Sequence, residues 1–196
     1  MLASTHLDLE APVHLRATLH YDADAERVAA MLADPAFVEE KLRASGALSH
    51  HADVVGDASR EFTVTTRRQM PTDAIPAQFR SFVGSTLEVR HVEAWEAPAA
   101  GDRPGEQPGE RRGTVVIEIV GAPVRYTGRL HLLPGGTAEP SSAGAGAGSQ
   151  VVVDGDLRSS IALFASAVEE AAAGAVRAAI EAEERAGRAW LAARPG

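Results

Sequence analysis

Residues 159–193, SSIALFASAVEEAAAGAVRAAIEAEERAGRAWLAA, constrain the fold more than any other stretch of this chain. Ile161, Phe164, Val168, Ala172, Ala175, Val176, Ala179 and Ile180 recur at helical spacing, with Glu and Arg mostly elsewhere, which is the pattern of a long amphipathic helix. At a rise of 1.5 Å per residue a straight helix of this extent approaches about 48 Å, longer than most small domains are wide. Curvature, or a kink near Gly174 or Gly187, is therefore expected.

The rest of the chain reads mainly as strands. HLRATLHY, residues 14–21, sets Leu15, Ala17, Leu19 and Tyr21 against His14, Arg16, Thr18 and His20, the period of a half-buried strand. A helical elbow follows. Asp22 or Asp24 can cap a helix that carries Val28, Met31 and Leu32 on one side, and Pro35 ends or restarts it. A second helix capped by Asp34 then places Phe37, Val38 and Leu42 on one side and stops near Gly46. ALSHHADVV and REFTVTTRRQM alternate around the turn GDAS as an antiparallel hairpin. STLEVRHVEAWE, GTVVIEIVG, VRYTGRLHLLP and QVVVDGDLR continue the meander, with GAP as a tight turn.

Two segments interrupt this pattern, at about 98–111 and 134–149. Both are dense in glycine, proline and small residues, and both read as flexible hairpin loops. The second lacks the lysine and hydroxyl pair of a phosphate loop. PTDAIPAQFRSFVG, residues 71–84, is instead a compact apolar connection, either a plug of the core or a lid.

With 196 residues the chain suits one domain, 1–196, with a core at about 13–192. A formal net charge of -8 sets the field against nucleic acid and anionic membranes, so no nucleic-acid partner is expected. No cysteine occurs, which removes disulfides, thiolate catalysis and sulfur-ligated metal sites and suits a reducing cytoplasm. The amino terminus has no secretory pattern and no window reads as a transmembrane segment. Lys41 is the sole lysine against 18 arginines, a compositional bias that makes arginine identity weak functional information.

The order is strand, two short helices, antiparallel strands, then one long carboxy-terminal helix. In that order the sequence resembles the START or SRPBCC helix-grip superfamily, which includes polyketide cyclases and lipid-transfer domains. LRATLHYDADAERVAAMLADPAFVEEKL, GALSH, PTDAIPAQFRSFVG, TLEVRHVEAW and EERAGRAWL look more narrowly like an uncharacterised bacterial family within it. The resemblance implies an α+β helix-grip fold: a curved antiparallel sheet of about six or seven strands wrapped on the final helix, with a cavity between them. The elbow would close one end of that sheet.

Candidate cavity residues follow from alternation. Leu87, Val89, His91, Glu93 and Trp95 share one face, so His91 and Glu93 point inward unless a bulge flips the register near His91. Tyr126 lies with Val124, Leu130 and Leu132, and Arg68 with Phe62, Val64 and Thr66. Arg68 either reaches an anionic ligand group or emerges at the strand end. Phe79 and Phe82 on the apolar connection, and Phe164 and Val168 on the final helix, complete the set. His50 alternates with Leu48, Ala52 and Val54, while His51 points away, so adjacent histidines do not share a metal. No metal and no cofactor is expected, and no GxSxG elbow occurs.

The AAAGA midsection of the helix suits either close backbone packing or space left by missing side chains, the first being the ordinary outcome. The expected function is binding of a hydrophobic small molecule or lipid. The alternatives are a cyclase or aromatase moving protons through His91 and Glu93, and an interaction scaffold that docks through the acidic EAEER run.

Overall fold

The computed structural model describes residues 12–72, 85–122, 124–135, 148–159 and 165–194. In chain order the elements are β1 (Val13–Tyr21), α1 (Ala25–Leu32), α2 (Pro35–Ala44), β2 (Ser49–Gly56), β3 (Phe62–Pro71), β4 (Thr86–Trp95), β5 (Arg111–Ile119), β6 (Val124–Pro134), β7 (Ser149–Ser159) and α3 (Ala165–Ala193). The strands form one seven-stranded antiparallel sheet in the order β1-β7-β6-β5-β4-β3-β2, curved around the long helix. Strands β2 to β7 are a meander, and β1 returns to pair with β7.

Unbroken register carries the alternation of each strand across the sheet. On the inner face Thr66 pairs with His91, His91 with Ile117, Ile117 with Tyr126, and Tyr126 with Leu157. The next row runs Val64, Glu93, Val115, Gly128 and Gly155. Because no bulge interrupts β4, His91 and Glu93 keep the same side as Val89 and Trp95.

The elbow forms for local reasons. Asp24 caps α1 by accepting the Arg27 amide at 2.7 Å, and Asp34 caps α2 by accepting the Ala36 amide at 2.8 Å, with Pro35 in the first turn. Ser45 ends α2 by donating its hydroxyl to the Leu42 carbonyl at 2.7 Å. Both helices bury their apolar sides, Val28, Met31 and Leu32 from α1 and Phe37, Val38 and Leu42 from α2.

Against this elbow sits the carboxy-terminal end of α3. Phe37 meets Trp190 edge to face at 5.6 Å between ring centroids, and Arg27 donates to the carbonyls of Leu191 and Arg194 at 3.4 and 2.6 Å. A guanidinium on the last carbonyls of a helix satisfies groups that have no partner within the helix and complements its dipole.

Gly56 holds a φ of 90° where β2 turns into β3, and an added Cβ would lie 2.3 Å from the Glu61 carbonyl oxygen. The connection after β4 is closed at its base by the Ala99 amide on the Glu110 carbonyl at 2.8 Å and the Gly109 amide on the Ala99 carbonyl at 3.0 Å. β5 starts two residues before its apolar pattern does, because Arg111 turns inward. Its guanidinium donates to the carbonyls of Arg60 at 2.8 Å, Glu96 at 3.1 Å and Ala58, and lies over the Phe62 ring.

The two helical glycines sit in opposite surroundings. At Gly187 an added Cβ would lie 2.6 Å from Tyr21 Cε1 and 3.1 Å from Met31 Cε, whereas at Gly174 it would meet nothing within 4 Å. Gly187→Leu is therefore expected to cost about 1–3 kcal/mol by overpacking, and Gly174→Ala to gain up to about 1 kcal/mol through helix propensity. Urea unfolding midpoints check both; equal effects would contradict the close packing of Gly187.

Candidate functional site

The inner face does not fill completely. Between it and the middle of α3 lies a cavity of about 560 Å³, within the size range of small-molecule sites. Its sheet wall is largely apolar, with Val89, Val115, Ile117, Ile119, Leu130 and Val153 among its side chains. Its helix wall is nearly all small: Ala171, Ala172, Ala175, Ala178, Ala179 and Ala182 face it beside Val168, Val176 and Ile180. Close packing was the ordinary expectation for the Ala-rich midsection; instead the missing side-chain volume becomes part of the cavity. Exposed Ala175, Ala178 and Arg185 are among the lining residues, so the cavity reaches solvent along that side of the helix.

One end of the cavity is polar. Lys41 of α2 donates to Glu93 Oε1 at 2.9 Å and to Glu183 Oε1 of α3 at 3.1 Å, and Trp95 Nε1 donates to Glu93 Oε2 at 3.2 Å. The Lys41 and Glu93 side chains are each only 8% exposed, so this cluster works in an interior of low dielectric. His91 Nε2 lies 3.3 Å from Glu93 Oε1 but is misaligned and makes no hydrogen bond. Arg68 lines the same end, and its Nε is buried without a partner.

Tyr126 sits two strands from His91, roughly 10 Å across the sheet. Its ring lies over the paired Gly128 and Gly155, where a Cβ on either would come within 2.8 Å of the hydroxyl. That hydroxyl is buried without a hydrogen-bond partner. Burial, with Asp154 and Asp156 adding to it, pushes the phenol up to about 12, so it remains a neutral donor at ordinary pH.

The charges sort by their neighbours. Burial acts to raise Glu93, but Lys41 and the hydrogen bonds from Lys41 and Trp95 prevail and hold it well below the usual carboxylate range. Burial raises Glu183, and repulsion from Glu93 adds to this against the pull of Lys41 and Arg68. For Lys41, burial acts to lower the pKa, yet the two carboxylates raise it above the ordinary lysine value. Burial pushes His91 down to about 3, helped by Lys41 and Arg68 and opposed by Glu93, so its imidazole is neutral.

These shifts have opposite signs in the pH dependence of stability. Below about pH 6.5 the unfolded chain protonates His91 while the folded chain does not, so its contribution is lost as pH falls from 6.5 towards 3. Glu183 acts the other way, losing stability as pH rises above 4.5, because the fold favours its protonated form. For His91 the loss at pH 5 is on the order of 2 kcal/mol. The urea midpoint of His91→Gln should therefore fall less than that of the wild type between pH 7 and pH 5. Parallel falls in the two proteins would remove His91 from this account.

Of the residues singled out in the sequence, Arg68, Val89, His91, Glu93, Trp95, Tyr126 and Val168 all line the cavity. Phe79, Phe82 and Phe164 lie outside the described residues. His50 accepts or donates a hydrogen bond with Glu39 of α2 at 2.7 Å and is not among the lining residues. No cluster of three metal-ligating side chains occurs among the described residues.

Sequence reasoning missed Lys41 and Glu183. The signal was present for both: Lys41 falls on the helical side of Phe37, Val38 and Leu42, and Glu183 continues the stripe of Val176 and Ile180.

Comparison with known proteins adds the fold. Zhui aromatase/cyclase from Streptomyces sp. R1128 matches with a TM-score of 0.55 at 13% identity, covering 94% of this chain and 98% of that one. Protein TTHA0849 from Thermus thermophilus matches with a TM-score of 0.52 at 17% identity, over 90% and 98%. A conserved protein from Geobacillus kaustophilus matches with a TM-score of 0.52 at 11% identity, over 92% and 95%. At these identities the likeness is one of fold. No curated protein matches the sequence. The profile of DUF2505, a protein of unknown function, matches residues 16–191, and the chain belongs to that family.

Proposed function

We propose that the protein binds a hydrophobic small molecule or lipid between the inner face of the sheet and α3. The observation that carries this reading is the cavity itself, apolar along most of its wall and polar at one end. Burial of apolar ligand surface supplies affinity at about 25 cal/mol per Å² before the costs of association are subtracted. The few polar groups, His91, Arg68 and Tyr126, then fix orientation.

Two other readings draw less support. Proton transfer by His91 and Glu93, as in an aromatase or cyclase, needs groups that exchange protons near neutral pH. Here His91 is a very weak base and Glu93 is held ionised by Lys41 and Trp95. The acidic run near the end of α3 is likewise engaged within the fold, Glu183 with Lys41 and Glu184 accepting the His20 amide at 3.0 Å. Little of it is left to dock a partner. No helix among the described residues is long and apolar enough to cross a membrane.

Titration with the neutral fluorophore N-phenylnaphthylamine tests the reading. The wild type should show one saturable site. Ala179→Trp, which places an indole in the cavity, should weaken binding at least about tenfold, the effect expected when one well-buried contact area is lost, while leaving the unfolding midpoint nearly unchanged. No saturable binding, or equal binding in the two proteins, would contradict the proposal.

A further inference from the structure

At the polar end of the cavity the hydrogen-bonding capacity of the protein is uneven. Lys41 is engaged by two carboxylates, whereas Arg68 forms no ion pair or hydrogen bond among the described residues. Thr66 Oγ1 and His91 Nε2 are also buried without partners. Register gathers these three groups. Thr66 is directly opposite His91, and Arg68, opposite Val89, is the diagonal neighbour of His91 at roughly 7–8 Å.

Unmet polar atoms in an interior each forfeit a hydrogen bond that water would have given, and a guanidinium carries a charge as well. Burial accordingly lowers the proton affinity of Arg68, with Glu183 and Glu93 opposing it through space. A neutral carbonyl seated here would satisfy Nε and leave the guanidinium without a direct anionic partner. A cation would meet Arg68 and Lys41 together.

Resting on the cavity reading, we infer that the bound molecule is an amphiphile with one oxyanionic end, a carboxylate being the planar match to a guanidinium, seated on Arg68 beside His91. Its apolar body lies along Val115 and Ile117 towards Tyr126. The neutral His91 ring carries one N–H to give to the second carboxylate oxygen or its neighbour.

Isothermal titration of the full chain with dodecanoate, dodecanol and dodecylamine, equal in chain length and different in head group, tests this inference. Dodecanoate is expected to bind at least about tenfold more tightly than dodecanol, with dodecylamine weakest, as a charge-assisted bidentate contact requires. Arg68→Met should bring dodecanoate down towards the affinity of dodecanol. Arg68→Lys, which keeps the charge without the fork, should retain part of the preference.

The wild-type ranking stands as a test even where a variant fails to fold. Equal affinity for the acid and the alcohol, or an undiminished preference in Arg68→Met, would overturn the oxyanion inference and leave the apolar cavity reading intact. Failure of all three probes to bind would overturn both.

Discussion

Lys41 Nζ spans three elements: from α2 it meets Glu93 on β4 at 2.9 Å and Glu183 on α3 at 3.1 Å. A buried ammonium between two carboxylates is held by geometry, because its desolvation is recovered only while both partners stay in place. Removing one partner of such a cluster commonly costs about 3–5 kcal/mol. Elbow, sheet and helix therefore share one electrostatic joint. Together with Trp190 against Phe37 and Arg27 on the last carbonyls, it fixes the carboxy-terminal half of α3. The preceding turns, from Val168 to Ala179, are then held over the sheet without having to fill the space beneath them.

That division gives the molecule two interiors. Around the elbow, Val28, Phe37, Leu42, Leu132 and Tyr21 are almost wholly buried and pack conventionally, to the point that Gly187 leaves no room for a side chain. Beneath the middle of α3 the helix presents alanines and the sheet presents Val115, Ile117 and Leu130 across a gap. A tightly packed end supplies the stability that lets the other end stay hollow. The polar cluster lies at one end of that hollow, so the contacts that fix the helix also give the cavity its direction.

Much of this was legible in the sequence, and the reasons are physical. Alternation along STLEVRHVEAWE put His91 and Glu93 on the face of Val89, inward unless a bulge intervened, and the unbroken register of β4 settles that choice. The prolines and aspartates of DADAERVAAMLADPAF marked the elbow through capping that depends only on neighbours a few residues away. Lys41 and Glu183 were not found, because charged residues in EEKLRA and EAEER ordinarily face solvent and their pairing joins positions 142 residues apart. Arg111 escaped for a similar reason: RRG at the end of a glycine-rich loop gives no local sign that the carbonyls of Ala58 and Arg60 wait opposite. Whether the Ala-rich turns pack or leave space is decided by how closely the helix can approach the sheet, which local sequence does not encode.

The measurement that bears most directly on the central claim is a methyl-resolved NMR titration with dodecanol, a probe that needs no charge. Inner and outer faces of the same strands carry reporters, Val89, Ile117, Val153 and Val176 lining the cavity and Val116 and Val152 alternating to the other side. The account predicts saturable shifts at the first four and little change at the last two. Shifts spread over both faces, or confined to the outer one, would mean that the space between sheet and helix is not where an apolar molecule binds.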